Sequence, residues 1–324
     1  MRLQSLARGP LAQREDAAGY VTVLAVGGLL SWLSLDRPAL APAWAPWDFS
    51  WSEFLAASLT LLWYLRGLAL QAPEMRPRVW RRVVFLVGVG AIYAVLQTRF
   101  DYMAQHMFFL NRVQHVVMHH LGPFLIAVAW PGTTIWRGMP DAVRRLLASR
   151  PLAVVLRILQ QPVLAPILFV GLFYFWLVPV IHFRAMLDAR LYALMNWSMV
   201  VDGILFWSLV LDPRTKPPAR LSFGARAALS CAVMFPQILL GAVITFSARD
   251  LYPFYDLCGR LYPSIDALDD QHIGGIISWI PPAMMSVVGI LLVLNALRLH
   301  EDSEIEADEA AAALATLATR WTGR

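Results

Sequence analysis

The chain has 324 residues, of which 58% are hydrophobic and only 15% charged, with a mean hydropathy of +0.56. Soluble globular proteins carry about a quarter charged residues, so this composition is that of a polytopic membrane protein, and the net charge of +5 is a matter of topology rather than a nucleic-acid footprint. Cys231 and Cys258 are too far apart for a CxxC site, and no phosphate loop, nucleophile elbow or HExxH is present. Hydrolysis therefore has no support, and nothing in the chain requires turnover.

The first 18 residues lack the apolar run of a cleavable signal, so the first apolar stretch is expected to be an uncleaved anchor. Apolar segments fall at 19–35, 52–70, 80–98, 112–130, 155–180, 190–211, 223–247 and 273–297. Each is close to the roughly 17–25 residues that a helix needs to cross hydrocarbon. The expectation is an all-α, polytopic helix bundle over residues 1–300 with about eight spans. Segments on the N-terminal side of the membrane are rich in base, including Arg76, Arg78, Arg81, Arg82, Arg144 and Arg145. Assigned to the nearer side, the Lys and Arg residues divide 20 to 7, which places both termini in the cytoplasm. Residues 301–324 read as a cytoplasmic tail that opens with EDSEIEADE, either a short surface helix or disordered.

The chemistry concentrates in Asp101–Gly122, DYMAQHMFFLNRVQHVVMHHLG, which holds four of the seven histidines where a polar loop enters an apolar helix. On a regular helix His115 and His119 share a face, His120 points about 100° away, and Met118 lies near the turn above His115. His106 sits between Met103 and Met107. His182 falls at the outer end of the fifth segment and His272 at the outer start of the eighth, so only His300 is left on the cytoplasmic side. The longest external loop, 248–272, carries Asp250, Asp256, Asp266, Asp269 and Asp270, and its Leu-Tyr-Pro triplets at 251–253 and 261–263 read as repeated turn chemistry. Trp44, Trp47 and Trp51 suit an interfacial belt against lipid headgroups.

Imidazole binds copper, zinc or iron, thioether favours Cu(I), and carboxylate can orient a histidine. The candidate metal set is His106, His115, His119, His120, His182, His272, Asp270 and Met118, with copper the expected metal at the outer face. For Met118, as for Met103 and Met107, gap-filling in a core is the leading role. The histidines also admit structural hydrogen bonding, proton handling, or haem held by His115 with His182 or His272; a haem- or quinol-binding redox protein and a copper transporter using Asp202 are the alternative functions. Asn196, Asp202 and Gln237 are polar groups that lipid would reject, and Pro162, Pro166 and Pro179 punctuate the fifth segment.

Three places carry a resemblance to a family: NRVQHVVMHHLGPFLIAVAWPG, FYFWLVPVIHFRAMLDARLY with Leu205–Trp207 beyond it, and DQHIGGIISWIPP. They resemble the CtaG family of cytochrome c oxidase assembly factors. The resemblance implies a multi-pass protein of the bacterial inner membrane that helps to mature a haem-copper oxidase at its copper centre. Its implied partners are an oxidase subunit and a periplasmic copper chaperone. The family pattern often has histidine where this chain has Asn111, a Trp-His pair at Trp176–Leu177, and further histidines at Tyr192 and Asn196. A metal site here would then rest on His119, His120 and His182.

Overall fold

The computed structural model describes the backbone of residues 10–322 and the side chains of 17–314. Among them the secondary structure is helical, without strands. The chain runs through α1 (Pro10–Asp36), α2 (Trp51–Ala69), α3 (Val79–Gln97), the short α4 (Arg99–Ala104) and α5 (Phe108–His115). A π turn, Val116–Leu121, joins α5 to α6 (Gly122–Ala129). There follow α7 (Gly132–Gly138), α8 (Asp141–Leu147), α9 (Arg150–Leu159), α10 (Leu164–Leu177), α11 (Pro179–Leu187), α12 (Ala189–Val210), α13 (Phe223–Thr245), α14 (Phe254–Cys258) and α15 (Ala267–Thr322).

Five of these helices contain stretches long and apolar enough to cross a membrane: Ala17–Asp36, Val79–Gln97, Ala189–Val210, Phe223–Thr245 and Ala267–Leu314. A sixth span is formed if α9 and α10 count together, but they meet at 74°. The expected fifth segment is thus broken. Pro162 removes a backbone donor at the bend, and Gln161 caps α10 by accepting from the amides of Val163 and Leu164. Pro179 opens α11 and divides the same segment again. The expected second and fourth segments are helical as well. The second carries Glu53 and Arg66, and the fourth is interrupted by the π turn and its polar residues. At the other end α15 continues without a break past residue 300, so the expected tail is an extension of the last helix.

Small residues set the close approaches. A Cβ on Gly67 would lie 1.9 Å from the Thr134 carbonyl oxygen, and one on Gly138 would lie 1.8 Å from that of Trp63, so α2 and α7 touch backbone to backbone. The same device brings α12 onto the π turn at Gly203. The core falls into two main apolar clusters. One holds Met118, Phe173, Trp176, Met195, Met199, Tyr252 and Tyr255; the other holds Phe124, Phe169, Phe206, Trp207 and Val210. The histidines lie where these two clusters meet.

Candidate functional site

His115, His119, His120 and His182 are fully buried. The π turn explains how adjacent residues both face inward. It adds a residue to the helical turn, a distortion frequent at functional sites, and the His119 and His120 rings sit 4.6 Å apart, nearly perpendicular. A regular helix would have turned His120 away, as its spacing predicted. His119 stacks on Phe169 with ring centroids 4.2 Å apart, and its Nε2 lies 3.2 Å from an Asp202 carboxylate oxygen. That carboxylate accepts, so the proton is on Nε2 and the Nδ1 lone pair is left without a partner in the protein. The Gln237 side-chain amide nitrogen donates to His120 Nε2 at 3.1 Å, so the proton of His120 is on Nδ1, an N–H that has no acceptor in the protein.

His115 is the extreme case, because neither of its ring nitrogens has a hydrogen-bond partner in the protein. Buried polar atoms are nearly always paired, and Arg112, His182 and His119 are the groups whose charge reaches it. Arg112 is itself buried, packs over the Phe108 ring at 5.0 Å and donates to Asn111 Oδ1. His182 is satisfied at both nitrogens: Nδ1 lies 3.2 Å from the Trp176 carbonyl oxygen, and Nε2 accepts from the Tyr255 hydroxyl at 3.0 Å.

The remaining predicted residues lie apart from this centre. His106 is bound to its own helix, with Nδ1 2.8 Å from the Tyr102 carbonyl oxygen and its ring against Tyr102. His272 reaches the Ser247 carbonyl oxygen at 3.3 Å. Asp270 accepts from the backbone amides of Phe108 and Phe109 at 2.9 and 2.7 Å and pairs with Arg260, so it holds the first turn of α5 rather than orienting His272. Met118 fills the apolar core. Among the described residues no three His, Cys, Asp or Glu side chains are placed to hold one metal ion.

Depth is the other difference from expectation. Asp202 lies thirteen residues into α12 and Gln237 fourteen into α13. At 1.5 Å per residue this is about 20 Å from the first residue of each helix and about 12 Å from the last, toward the middle of the bundle. Toward the base-rich end, Phe124, Phe206, Trp207 and Val233 close off the space with apolar side chains. Toward the opposite end, polar groups continue through His115, Arg112, Asp270 and Arg260. That end is covered by the loop after α13. Tyr252 of this loop stacks on Phe108 at 4.1 Å and donates to the Leu177 carbonyl, and Tyr255 reaches His182. Burial pushes both phenols up, so they keep their protons and serve as hydrogen-bond donors.

Arg112, Tyr252 and Tyr255 were missed in the sequence. Arg112 stands within the apolar run of 108–129, where an arginine signals a buried partner. The two tyrosines differ from Tyr262 of the second triplet, which is exposed. Beside the centre, Asp101 on α4 accepts from Gln105, Gln114 and Tyr192, at 2.6 to 2.8 Å. Burial nevertheless raises its carboxyl to about 6.

Fold and site together define a helical membrane protein whose polar centre is enclosed by its own helices. The chain belongs to the cytochrome c oxidase caa3 assembly factor family (Caa3_CtaG), whose pattern matches residues 62–298. Over 249 residues it is 27% identical to an uncharacterized protein, ML1998, of Mycobacterium leprae (strain TN), a match covering 71% of this chain and 36% of that protein. The chain thus spans about a third of the length of that curated relative. No solved structure matches it. The match runs from α2 into α15 and includes every buried histidine.

Proposed function

We propose that this chain assists the maturation of a caa3-type oxidase by holding copper transiently at His115 and His119, with His120 alongside, for transfer to an oxidase subunit. The observation that carries this reading is the set of imidazole nitrogens with no hydrogen-bond partner, both of His115 and Nδ1 of His119. A histidine that donates one N–H to a carboxylate and leaves the other nitrogen free is arranged as metal-ligating histidines are, and His119 with Asp202 has that arrangement. Cu(I) needs as few as two ligands, so a dicoordinate site asks for less convergence than a zinc site.

Loading and release take place from the end covered by Tyr252 and Tyr255, where a copper chaperone of the external compartment would meet the protein. Asp270 serves the site by fixing the start of α5, and His106 and His272 lie outside it. The test is Cu(I) competition against a chromophoric chelator with purified protein, beside His115→Ala and His119→Ala, with absorption spectra of the same samples. One equivalent of Cu(I) that is lost in both variants supports the proposal. Metal-free protein with no detectable Cu(I) affinity refutes it, and a Soret band would transfer the histidines to the haem alternative.

A further inference from the structure

A cavity of about 240 Å³ lies on the other side of α12 from the polar loop, walled by α2, α3, α6 and α12. Its inner wall is apolar, with Ala56, Ala57, Val89, Ile92, Val200 and Ile204. Glu53, Gln97 and Asn196 line it as well. Glu53 is in the first turn of α2 and Gln97 ends α3, so the polar groups gather at one end, the end predicted to be external, and the apolar wall runs inward. At its lipid-facing side stands Val201, 44% exposed. The shape and polarity are those of an amphiphile's site, open to the bilayer.

Two polar atoms there are unaccounted for. Gln97 and Asn196 are 1% and 3% exposed, and the side-chain oxygen of each has no partner in the protein. The Gln97 amide group already donates to Glu53 at 2.5 Å, which fixes its oxygen as the free end. Gln97 thus presents a vacant acceptor, and the Asn196 amide, which makes no hydrogen bond, an acceptor beside a donor, so a ligand that satisfies both must donate, and a hydroxyl, which can also accept, fits them. The nearby Glu53 carboxyl disfavours a phosphate or carboxylate head. The volume lies below the roughly 300–1,000 Å³ of drug-sized sites, so the cavity takes one ring or one chain and not a whole phospholipid.

We infer that this cavity binds a neutral, hydroxyl-bearing amphiphile, its O–H groups donating to Gln97 and Asn196 and its tail leaving past Val201 into lipid. Two membrane components share that chemistry, the reduced form of an isoprenoid quinone and a diacylglycerol. The site is separate from the imidazole centre and its test does not depend on copper.

The experiment is ligand-induced thermal stabilisation of the full chain in detergent, with decyl hydroquinone, the corresponding decyl quinone, didecanoylglycerol and decanoate. The hydroquinone or the diacylglycerol should saturate, and the quinone and decanoate should bind at least tenfold more weakly. Asn196→Leu should weaken the binding at least tenfold. Ala57→Phe should abolish it by filling the cavity. Asn196→Leu removes a buried acceptor that has no partner, so the fold should tolerate it, and an unchanged size-exclusion profile and unliganded thermal midpoint in both variants check this independently. Saturation by the hydroquinone alone identifies a quinol site, and by the diacylglycerol alone a lipid site; either supports the inference. Equal binding of quinone and hydroquinone, binding indifferent to both variants, or no binding would overturn it.

Discussion

Gly203 is the tightest joint of the histidine centre, and Gly203→Ala tests whether the centre depends on it. A Cβ there would lie 2.3 Å from the His119 carbonyl oxygen, against the 3.0 Å below which such contacts essentially never occur, so α12 must move away from the π turn by about 0.7 Å. The neighbouring pair, Asp202 with His119 at 3.2 Å, then lengthens toward 4 Å and ceases to be a hydrogen bond. Overpacking of this kind costs about 1–3 kcal/mol, and losing a partner of a buried charge about 3–5 kcal/mol. Since the pair is stretched and not deleted, a total of about 3 kcal/mol is expected, or roughly 4–5 °C in thermal midpoint for a chain of 324 residues. The assay is a thermal unfolding scan in detergent beside Asp202→Asn, which removes the charge without moving the helix. The alanine variant should lose the larger share of stability and should weaken Cu(I) binding. A Gly203→Ala protein as stable as the parent would refute the packing argument, since nothing in a backbone carbonyl can yield as a flexible side chain does.

Asp202→Asn should lower Cu(I) affinity at least tenfold in the chelator competition, because His119 loses its orienting carboxylate. Asp101 should give a pH dependence of stability. Its folded-state value of about 6 lies above the ordinary value of 3.8, so the stability it contributes is full below about pH 4 and is lost as pH rises through 6, by about 3 kcal/mol. Thermal midpoints should therefore climb from pH 7 toward pH 5, and an Asp101→Asn variant that keeps the same slope would contradict this. Gly138→Ala should prevent α7 from seating on α2, seen as aggregation in size-exclusion chromatography, whereas alanine at Gly171, which meets no neighbouring atom within 4 Å, should elute normally. Tyr255→Phe should leave the fold intact and free His182 Nε2; a Cu(I) affinity changed by less than about twofold would show that His182 stays outside the site.

The helical membrane class was legible because hydropathy reports what lipid demands of each stretch, and five of the expected segments have that character in the structure. The fifth has the expected apolar character only across a 74° bend. Its apolar run continues through Pro162 and Pro179, and a window of hydropathy cannot see a missing amide donor. The histidines were legible as a group, and His115, His119, His120 and His182 do gather in one buried region. Their pairing was not, because the π turn changes the angular step between residues 115 and 120 and no residue type announces it. Asp270 illustrates the opposite failure. Its neighbour His272 in sequence suggested a ligand pair, but on a helix adjacent positions two apart face different ways, and its carboxylate is taken by the amides of α5, 161 and 162 positions away.

The last helix carries a mechanical consequence. Its 56 residues extend about 84 Å at 1.5 Å per residue, nearly three times the roughly 30 Å of hydrocarbon. One extremity grips the first turn of α5 through Asp270, three residues from the start of a segment that leads directly to His115. The other bears the acidic stretch 301–309 far out in water. Pro281 and Pro282 lie between these two ends and remove donors from the backbone ladder, so the rod has a joint: the arm that seats α5 is set apart from the arm that carries the acid into water.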